Sequence, residues 1–172
     1  LRSHIGELLR SVFLILIILV VLQLTVQSFR VEGTSMKPSF HDGQFLLVNK
    51  AVYFFHPPQR GEVVVFSRES GEYYIKRVIG LPEEVVEIEG GKLYIDSQLM
   101  EEPGYIPPSG HHYGPKEITP DHYFVLGDNR NHSGDSRIWG AIPRQNVVGR
   151  VWLCYWPPGE WGLSPGYSVA NE

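Results

Sequence analysis

Ser35 sits in the run Glu32-Gly33-Thr34-Ser35-Met36-Lys37-Pro38, a loop flanked by glycine and bounded by proline. Gly33 permits close backbone approach, Pro38 fixes the chain direction, and N–H groups of such a turn can face an oxyanion. A serine hydroxyl becomes a nucleophile only with a base beside it. A lysine serves as that base only when burial strips its proton. Lys76 stands in Tyr73-Tyr74-Ile75-Lys76-Arg77-Val78-Ile79-Gly80, which reads as a strand. Alternate strand residues share a face, so Lys76 goes with Tyr74 and Val78, and Arg77 with Ile75 and Ile79. At least one of the two cations therefore meets apolar neighbours. Either Lys76 snorkels to water, or desolvation makes its neutral amine available near pH ~7–8.

A third segment, Gly127-Asp128-Asn129-Arg130-Asn131-His132-Ser133-Gly134-Asp135-Ser136-Arg137-Ile138-Trp139-Gly140, is dense in Asp, Asn and Arg. It reads as a loop held by charge-assisted hydrogen bonds. A calcium loop fails, because Arg130, His132 and Trp139 occupy positions where an EF-hand needs oxygen ligands. His132 and Asp135 leave a Ser-His-Asp triad open as an alternative. The seven histidines show no metal-ligand spacing, and His111-His112 in a Gly/Pro loop reads as solvated. No metal and no cofactor are expected.

The elements that must position these groups are an apolar helix and short strands. Ser11 to Phe29 is a charge-free stretch of 19 residues, about 28 Å as a helix at ~1.5 Å per residue, just enough to span a bilayer. A cleaved secretory signal and a buried soluble helix compete with an anchor. No Ala-x-Ala-like site follows, however, and no comparably apolar partner segment exists. Arg2 and Arg10 before the stretch, against Arg30 and Lys37 after it, lean only faintly to a cytoplasmic N-terminus.

Strands are expected at Gln44–Asn49, Gly61–Ser67, Glu72–Gly80, Val85–Glu89, Lys92–Asp96, Tyr123–Leu126 and Val147–Tyr155, with a hairpin turn at Gly90-Gly91. Ser97 to Pro120, rich in Pro, Gly and His, reads as a loop or small ribbon inserted in the main domain. Leu163 to Glu172 reads as a loose end.

With 172 residues the chain has room for about one domain with a core, and 13 prolines and 18 glycines suit an all-β fold with many turns. A net charge of −4 without a basic stripe speaks against nucleic acid as a partner. The single cysteine, Cys154, excludes an internal disulfide and a multi-cysteine zinc site, and reads as a buried, inert thiol. Nothing in the sequence sets an oligomeric state.

In order and spacing, the three segments resemble those of the bacterial type I signal peptidases, membrane-bound Ser/Lys endopeptidases that remove signal peptides from exported preproteins. The resemblance runs from the apolar stretch to about Trp156. It rests on Val31 to Pro38, on Tyr74 to Pro82, and on Gly127 to Arg130 with Ser133, Asp135, Ser136, Arg137, Trp139 and Gly140. It implies a mainly β fold: one N-terminal transmembrane helix, then an antiparallel catalytic domain with an inserted ribbon or loop region at 81–120. Residues 1–10 would be cytoplasmic, 11–29 would span the plasma membrane, and 30–172 would lie on the exported side. Secretory preproteins and the lipid bilayer would be the partners.

Residue by residue, the resemblance makes Ser35 the nucleophile and Lys76 the general base of a path through an acyl-enzyme. Ser133 would hydrogen-bond the lysine amine, and Asp135 with Arg137 would brace the loop. The Ser35 N–H would serve the oxyanion. The family's second donor is often a serine hydroxyl where Gly33 stands here, so the Gly33 backbone, a neighbour such as Thr34, or a water must replace it. Leu81-Pro82-Glu83-Glu84 departs from the family's Gly-Asp after the proline, a turn variation beyond the dyad. Phe29, Val31, Met36, Phe40, Tyr74 and Ile75 would line pockets for small residues at positions −1 and −3 before the cut, selecting by exclusion. Ser35, six residues beyond Phe29, would meet the cleavage site near the membrane surface. Phe40, Trp156 and Trp161 are aromatic candidates for that interface or for core packing.

Other readings of the same residues are a maturation peptidase or self-cleaving repressor of the Ser/Lys type, an ER-type signal peptidase, a plastid or cyanobacterial homologue, and a non-catalytic anchored β-domain. No DNA-binding helices precede the serine, and the ER type would carry histidine at position 76.

Overall fold

The computed structural model of the chain describes residues 2–68 and 71–166. Helix α1 spans Arg2–Thr25, and its 19-residue part Glu7–Thr25 is long and apolar enough to cross a membrane. Phe13, Leu16, Leu19 and Leu22 are exposed on every side of it. A helix apolar all round, with nothing packed on it, belongs in an apolar solvent. It ends four residues before the expected Phe29, because Val26–Arg30 form strand β1. The apolar side chains of Val26 and Phe29 suit either element. Pairing decides: Phe29 lies opposite Leu46, and the Lys50 N–H donates to the Thr25 carbonyl at 2.7 Å.

Among the described residues eleven further strands follow: β2 (Phe45–Asn49), β3 (Val63–Ser67), β4 (Tyr73–Gly80), β5 (Val85–Glu89), β6 (Lys92–Ile95), β7 (Gln98–Met100), β8 (Tyr113–Glu117), β9 (His122–Leu126), β10 (Ile142–Pro143), β11 (Val147–Trp156) and β12 (Gly162–Leu163). One short helix, α2 (Ser136–Trp139), lies between β9 and β10. The main sheet runs β1-β2-β11-β3-β4-β9-β10, with β12 beside β11, and a second sheet runs β7-β6-β5-β8. Every pairing is antiparallel. The fold is thus mainly β, as the turn-rich composition predicts.

Alternation along the strands divides the core. Val31, Met36, Phe40, Leu46, Val48, Val63, Val65 and Val151 bury one face of the main sheet. Val64, Phe66, Val78, Tyr123, Val125 and Ile142 bury the other. Ile79, Phe124 and Leu126 meet Val86, Ile88, Leu93 and Ile95 of the second sheet. Each such side chain contributes about 1.5–3 kcal/mol relative to exposure.

The second sheet occupies the region expected as an insertion. Gly90 and Gly91 turn β5 into β6 with φ of 56° and 80°, the left-handed conformation a tight hairpin needs. Two strands lie inside the Ser97–Pro120 stretch that reads as a loop or small ribbon. Both β7 and β8 are edge strands, where Pro115 is tolerated because one side of the strand needs no ladder bonds. The expected loose end at Leu163 is partly ordered: Leu163 pairs with Leu153, and the Ser164 N–H donates to the Trp152 carbonyl. Residues 167–172 of that end lie outside the described residues.

Candidate active site

The serine loop hangs between β1 and β2 on buried anchors. Met36 and Phe40 insert into the core, and the Phe40 N–H donates to the Met36 carbonyl at 2.9 Å. Two bonds from Asn129 hold the backbone of the serine loop: its N–H to the Ser35 carbonyl (3.0 Å) and its Nδ2 to the Thr34 carbonyl (3.1 Å). The Gly33 N–H donates to Asp42 Oδ1 at 2.7 Å, which removes it as an oxyanion donor. One N–H cannot donate fully to this exposed carboxylate and to an incoming oxyanion together. Among the described residues no acceptor is bonded to the Ser35 N–H.

Both neighbouring cations of β4 are buried, and they point opposite ways as alternation requires. Lys76 is 3% exposed, with Nζ 2.7 Å from Ser35 Oγ and donating to the Ile75 carbonyl at 2.9 Å. Burial lowers its pKa from 10.5 to about 8, against the opposing pull of Asp135 and then Asp128. Arg77, on the other face, donates to both oxygens of Asp128 (2.8 and 2.6 Å) and to the carbonyls of Gly61 and Pro165, while its Nη2 reaches Ser39 Oγ at 3.3 Å. Arginine keeps its charge here because a carboxylate satisfies it. Lysine loses part of its charge because none touches it.

The third segment packs over this pair. Arg137 Nε and Nη2 each donate to Asp135 at 2.8 Å, a bidentate ion pair at the start of α2. Asp135 also accepts from the Gly127 N–H at 3.0 Å and caps α2 through the Arg137 N–H. Gly127 is glycine because there is no room for more: a Cβ there would lie 2.5 Å from the Ser35 carbonyl oxygen and closer still to the Ser133 hydroxyl. Ser133 does not reach the lysine. Its Oγ donates to the Gly134 carbonyl at 3.4 Å, the local bond available to a serine in a turn, so the expected Ser133–Lys76 bond is not formed. No Ser-His-Asp triad is assembled either. His132 is exposed and contacts Asn129, while Asp135 is engaged by Arg137.

Ser35 and Lys76 open into a cleft of about 740 Å³. Phe29, Val31, Met36, Tyr74 and Ile75 line it, and Phe40 does not. At 2% exposure Phe40 is a core residue beneath the loop, because a large ring between Met36 and Leu46 is stabilised by burial. Arg68, Glu72, Gly134 and Trp139 also line the cleft, and sequence reading assigned none of them to it. The Arg68 N–H donates to the Glu72 carbonyl at 3.1 Å, and that pairing, which sets both side chains beside Tyr74, is invisible without the strand register.

A family model described as "Signal peptidase, peptidase S26" matches residues 5–156. The chain belongs to that family. The signal peptidase I of Leptolyngbya laminosa is 40% identical over 165 residues, 86% of this chain and 81% of that one. A probable signal peptidase I-2 of Synechocystis sp. is 35% identical over 156 residues, 84% of this chain and 72% of that one. The signal peptidase I of Bacillus amyloliquefaciens is 34% identical over 163 residues, 84% of this chain and 86% of that one. This membership makes the chain a serine endopeptidase, and a Ser/Lys dyad mechanism is consistent with it.

Proposed function

We infer that this peptidase removes signal peptides from secretory preproteins, with Ser35 as nucleophile and Lys76 as its base. The observation that carries the reading is the 2.7 Å contact between Lys76 Nζ and Ser35 Oγ inside a desolvated cleft. In the neutral amine one N–H still donates to the Ile75 carbonyl, which turns the lone pair to the serine hydroxyl. Lys76 accepts the Ser35 proton as Oγ attacks the carbonyl of residue −1. The Ser35 N–H donates to the oxyanion, and the Thr34 hydroxyl or a water supplies the second donor in place of Gly33. The lysine then protonates the departing amine, leaving an ester on Ser35. A water deprotonated by the same amine attacks that ester and frees the serine. Asp135, Arg137 and Asn129 hold the loop, and Ser133 packs on Gly127 rather than orienting the amine.

Two open strand edges support a peptide substrate. Val31 exchanges bonds with Gln44 and Gly43 on the β2 side, so Arg30 and Glu32 turn their N–H and C=O groups away from it. Val78 bonds to Gly61 and Glu62 on the β3 side, so Tyr73 and Ile75 turn theirs away from β3, beyond the reach of the β9 pairing that begins at Arg77. Phe29 meets Tyr73 across this gap, with ring centroids 5.1 Å apart. An extended peptide fits between the two edges as an added strand, its side chains at −1 and −3 facing Val31, Met36, Phe29 and Ile75. The tight apolar wall there admits small residues and excludes large ones.

Helix α1 anchors the enzyme in the plasma membrane, with residues 1–10 cytoplasmic and the domain that follows the helix on the exported side. Family resemblance supports this orientation more than charge does. Phe54 and Phe55, 85% and 86% exposed beside the Lys50–Thr25 bond, are placed to rest in the bilayer interface. Trp156, opposite Phe45 at the far end of β2, is farther from the anchor.

The test is cleavage of a secretory preprotein in detergent by the intact protein, Ser35→Ala and Lys76→Ala, with the product N-terminus sequenced. Cutting after a small-x-small site that vanishes in both variants is the expected result. Activity surviving Lys76→Ala sinks the dyad, and an inactive intact protein leaves a binding module.

A further inference from the structure

The side of the cleft opposite the small-residue wall has a composition of its own. Tyr74, on the same face of β4 as Lys76, stacks on Phe66 (5.9 Å) and lies 6.3 Å from the Trp139 ring. The Arg68 guanidinium lies over Trp139 at 4.8 Å and over Tyr74 at 5.8 Å. Glu72 accepts from the Tyr74 hydroxyl at 2.7 Å. Tyr74, Trp139, Arg68 and Glu72 form a partition: each lines the catalytic cleft and also a second cleft of about 590 Å³, bounded beyond them by Ala141, Ile142, Pro143 and Asn146. Among the described residues no carboxylate forms an ion pair with Arg68, so its donors are held in place by ring stacking and not filled.

On the reading of an added strand, successive side chains of the bound peptide point to opposite faces. Residues −1 and −3 occupy the Val31–Met36–Ile75 side. Residue −2 then projects to the Tyr74 side, onto the partition. We propose that this partition is a selective subsite for residue −2, and that Arg68 makes it favour a carboxylate side chain. The inference rests on that reading of the cleft and deepens it. Room is not limiting, because the second cleft continues behind the wall. Charge and stacking decide instead. Glu72 accepts from the Tyr74 hydroxyl through one oxygen, and Arg30 and Glu32 line the cleft from the β1 side. Arg68 is the cation of this wall, with its guanidinium stacked on Trp139. A guanidinium stacked on an aromatic ring keeps its edge N–H groups free, the geometry for bidentate recognition of a carboxylate. A lysine at −2 would instead place like charge against it.

The test uses the full chain in detergent and three peptides with Ala at −1 and −3, differing only in Glu, Gln or Lys at −2. At low salt the intact enzyme is expected to give kcat/KM in the order Glu, Gln, Lys, with Glu over Gln by about two- to fivefold, as for a part-exposed ion pair. High salt compresses the series. In Arg68→Gln the Glu-over-Gln ratio falls to about one, whatever the change in overall cleavage. A ratio that is the same in both enzymes, or a wild-type ratio of one or less, overturns the subsite. Ser35→Ala is assayed in parallel: its cutting any of the three overturns the reading of the cleft beneath it and the subsite with it.

Discussion

The proton on Lys76 makes the most demanding prediction. The perturbation is pH, between 6 and 10.5, with kcat/KM read from an internally quenched signal-sequence peptide in detergent. With the lysine pKa at about 8, about a tenth of the enzyme carries the neutral amine at pH 7, about half at pH 8, and about nine-tenths at pH 9. The rate constant is therefore expected to climb close to tenfold per pH unit below pH ~7 and to level above ~9. An ordinary lysine at 10.5 would be neutral in only about one molecule in three hundred at pH 8. Burial among Val64, Val78 and the serine loop is thus worth roughly 160-fold in active enzyme at that pH. A profile still rising at pH 10 would refute the desolvation argument. A profile levelling near pH 6.5 would point to a histidine base. Either result, with Lys76→Ala as the blank, counts against the assignment.

The same burial carries a cost to the fold. The folded pKa lies below the unfolded one, so the charged amine opposes folding at every pH below about 8, and stability rises with pH between about 8 and 10.5. Lys76→Met, which fills the space without charge, is expected to raise stability at pH 7 by up to about 3 kcal/mol in denaturant titrations while abolishing cleavage. Arg77→Met leaves Asp128 buried without its cation, and is expected to cost about 3–5 kcal/mol in the same titrations, against no effect if the pair is dispensable. Gly127→Ala drives a methyl group into the Ser35 carbonyl and the Ser133 hydroxyl. It should lower kcat by at least about tenfold, the effect of an ångström-scale misplacement, with KM nearly unchanged. Phe54→Ser with Phe55→Ser is expected to weaken the enzyme's action on preprotein in liposomes while sparing soluble peptides in detergent, as loss of an interfacial contact requires.

Much of this was legible from residue types, and the exceptions share a cause. Strands β2 to β6, β9 and β11 follow from β-branched runs bounded by turns. Opposed facing of Lys76 and Arg77 follows from the two-residue repeat of a strand. The end of α1 does not, because Val26 and Phe29 satisfy a hydropathy count equally well as helix or strand, and only the distant β2 decides between them. Long-range bonds are silent for a similar reason. Nothing local says that Asp128 belongs to Arg77, 51 residues away, or that Asp42 takes the Gly33 N–H before an oxyanion can. Phe40 looked like pocket and is core, since an apolar ring beside a catalytic serine can turn either way. Ser133 found a backbone carbonyl in its own turn, a competitor every loop serine has and no sequence motif records.

Strand β1 turns distance into a criterion of its own. It leaves the anchor at Val26, without a linker, and Ser35 stands ten residues beyond Thr25 with a five-residue strand between them. At ~3.4 Å per residue that strand is about 17 Å long. With the anchor in the bilayer as proposed, a peptide laid beside β1 has its own apolar helix in the same layer. It must therefore unwind where α1 unwinds and stay extended for a comparable stretch before its scissile bond meets the serine. A preprotein whose apolar segment runs too close to its small-x-small site holds that bond below the hydroxyl, and one whose segment stops too early carries it past. The enzyme then reads a length as well as two small side chains, and the gauge is its own first strand.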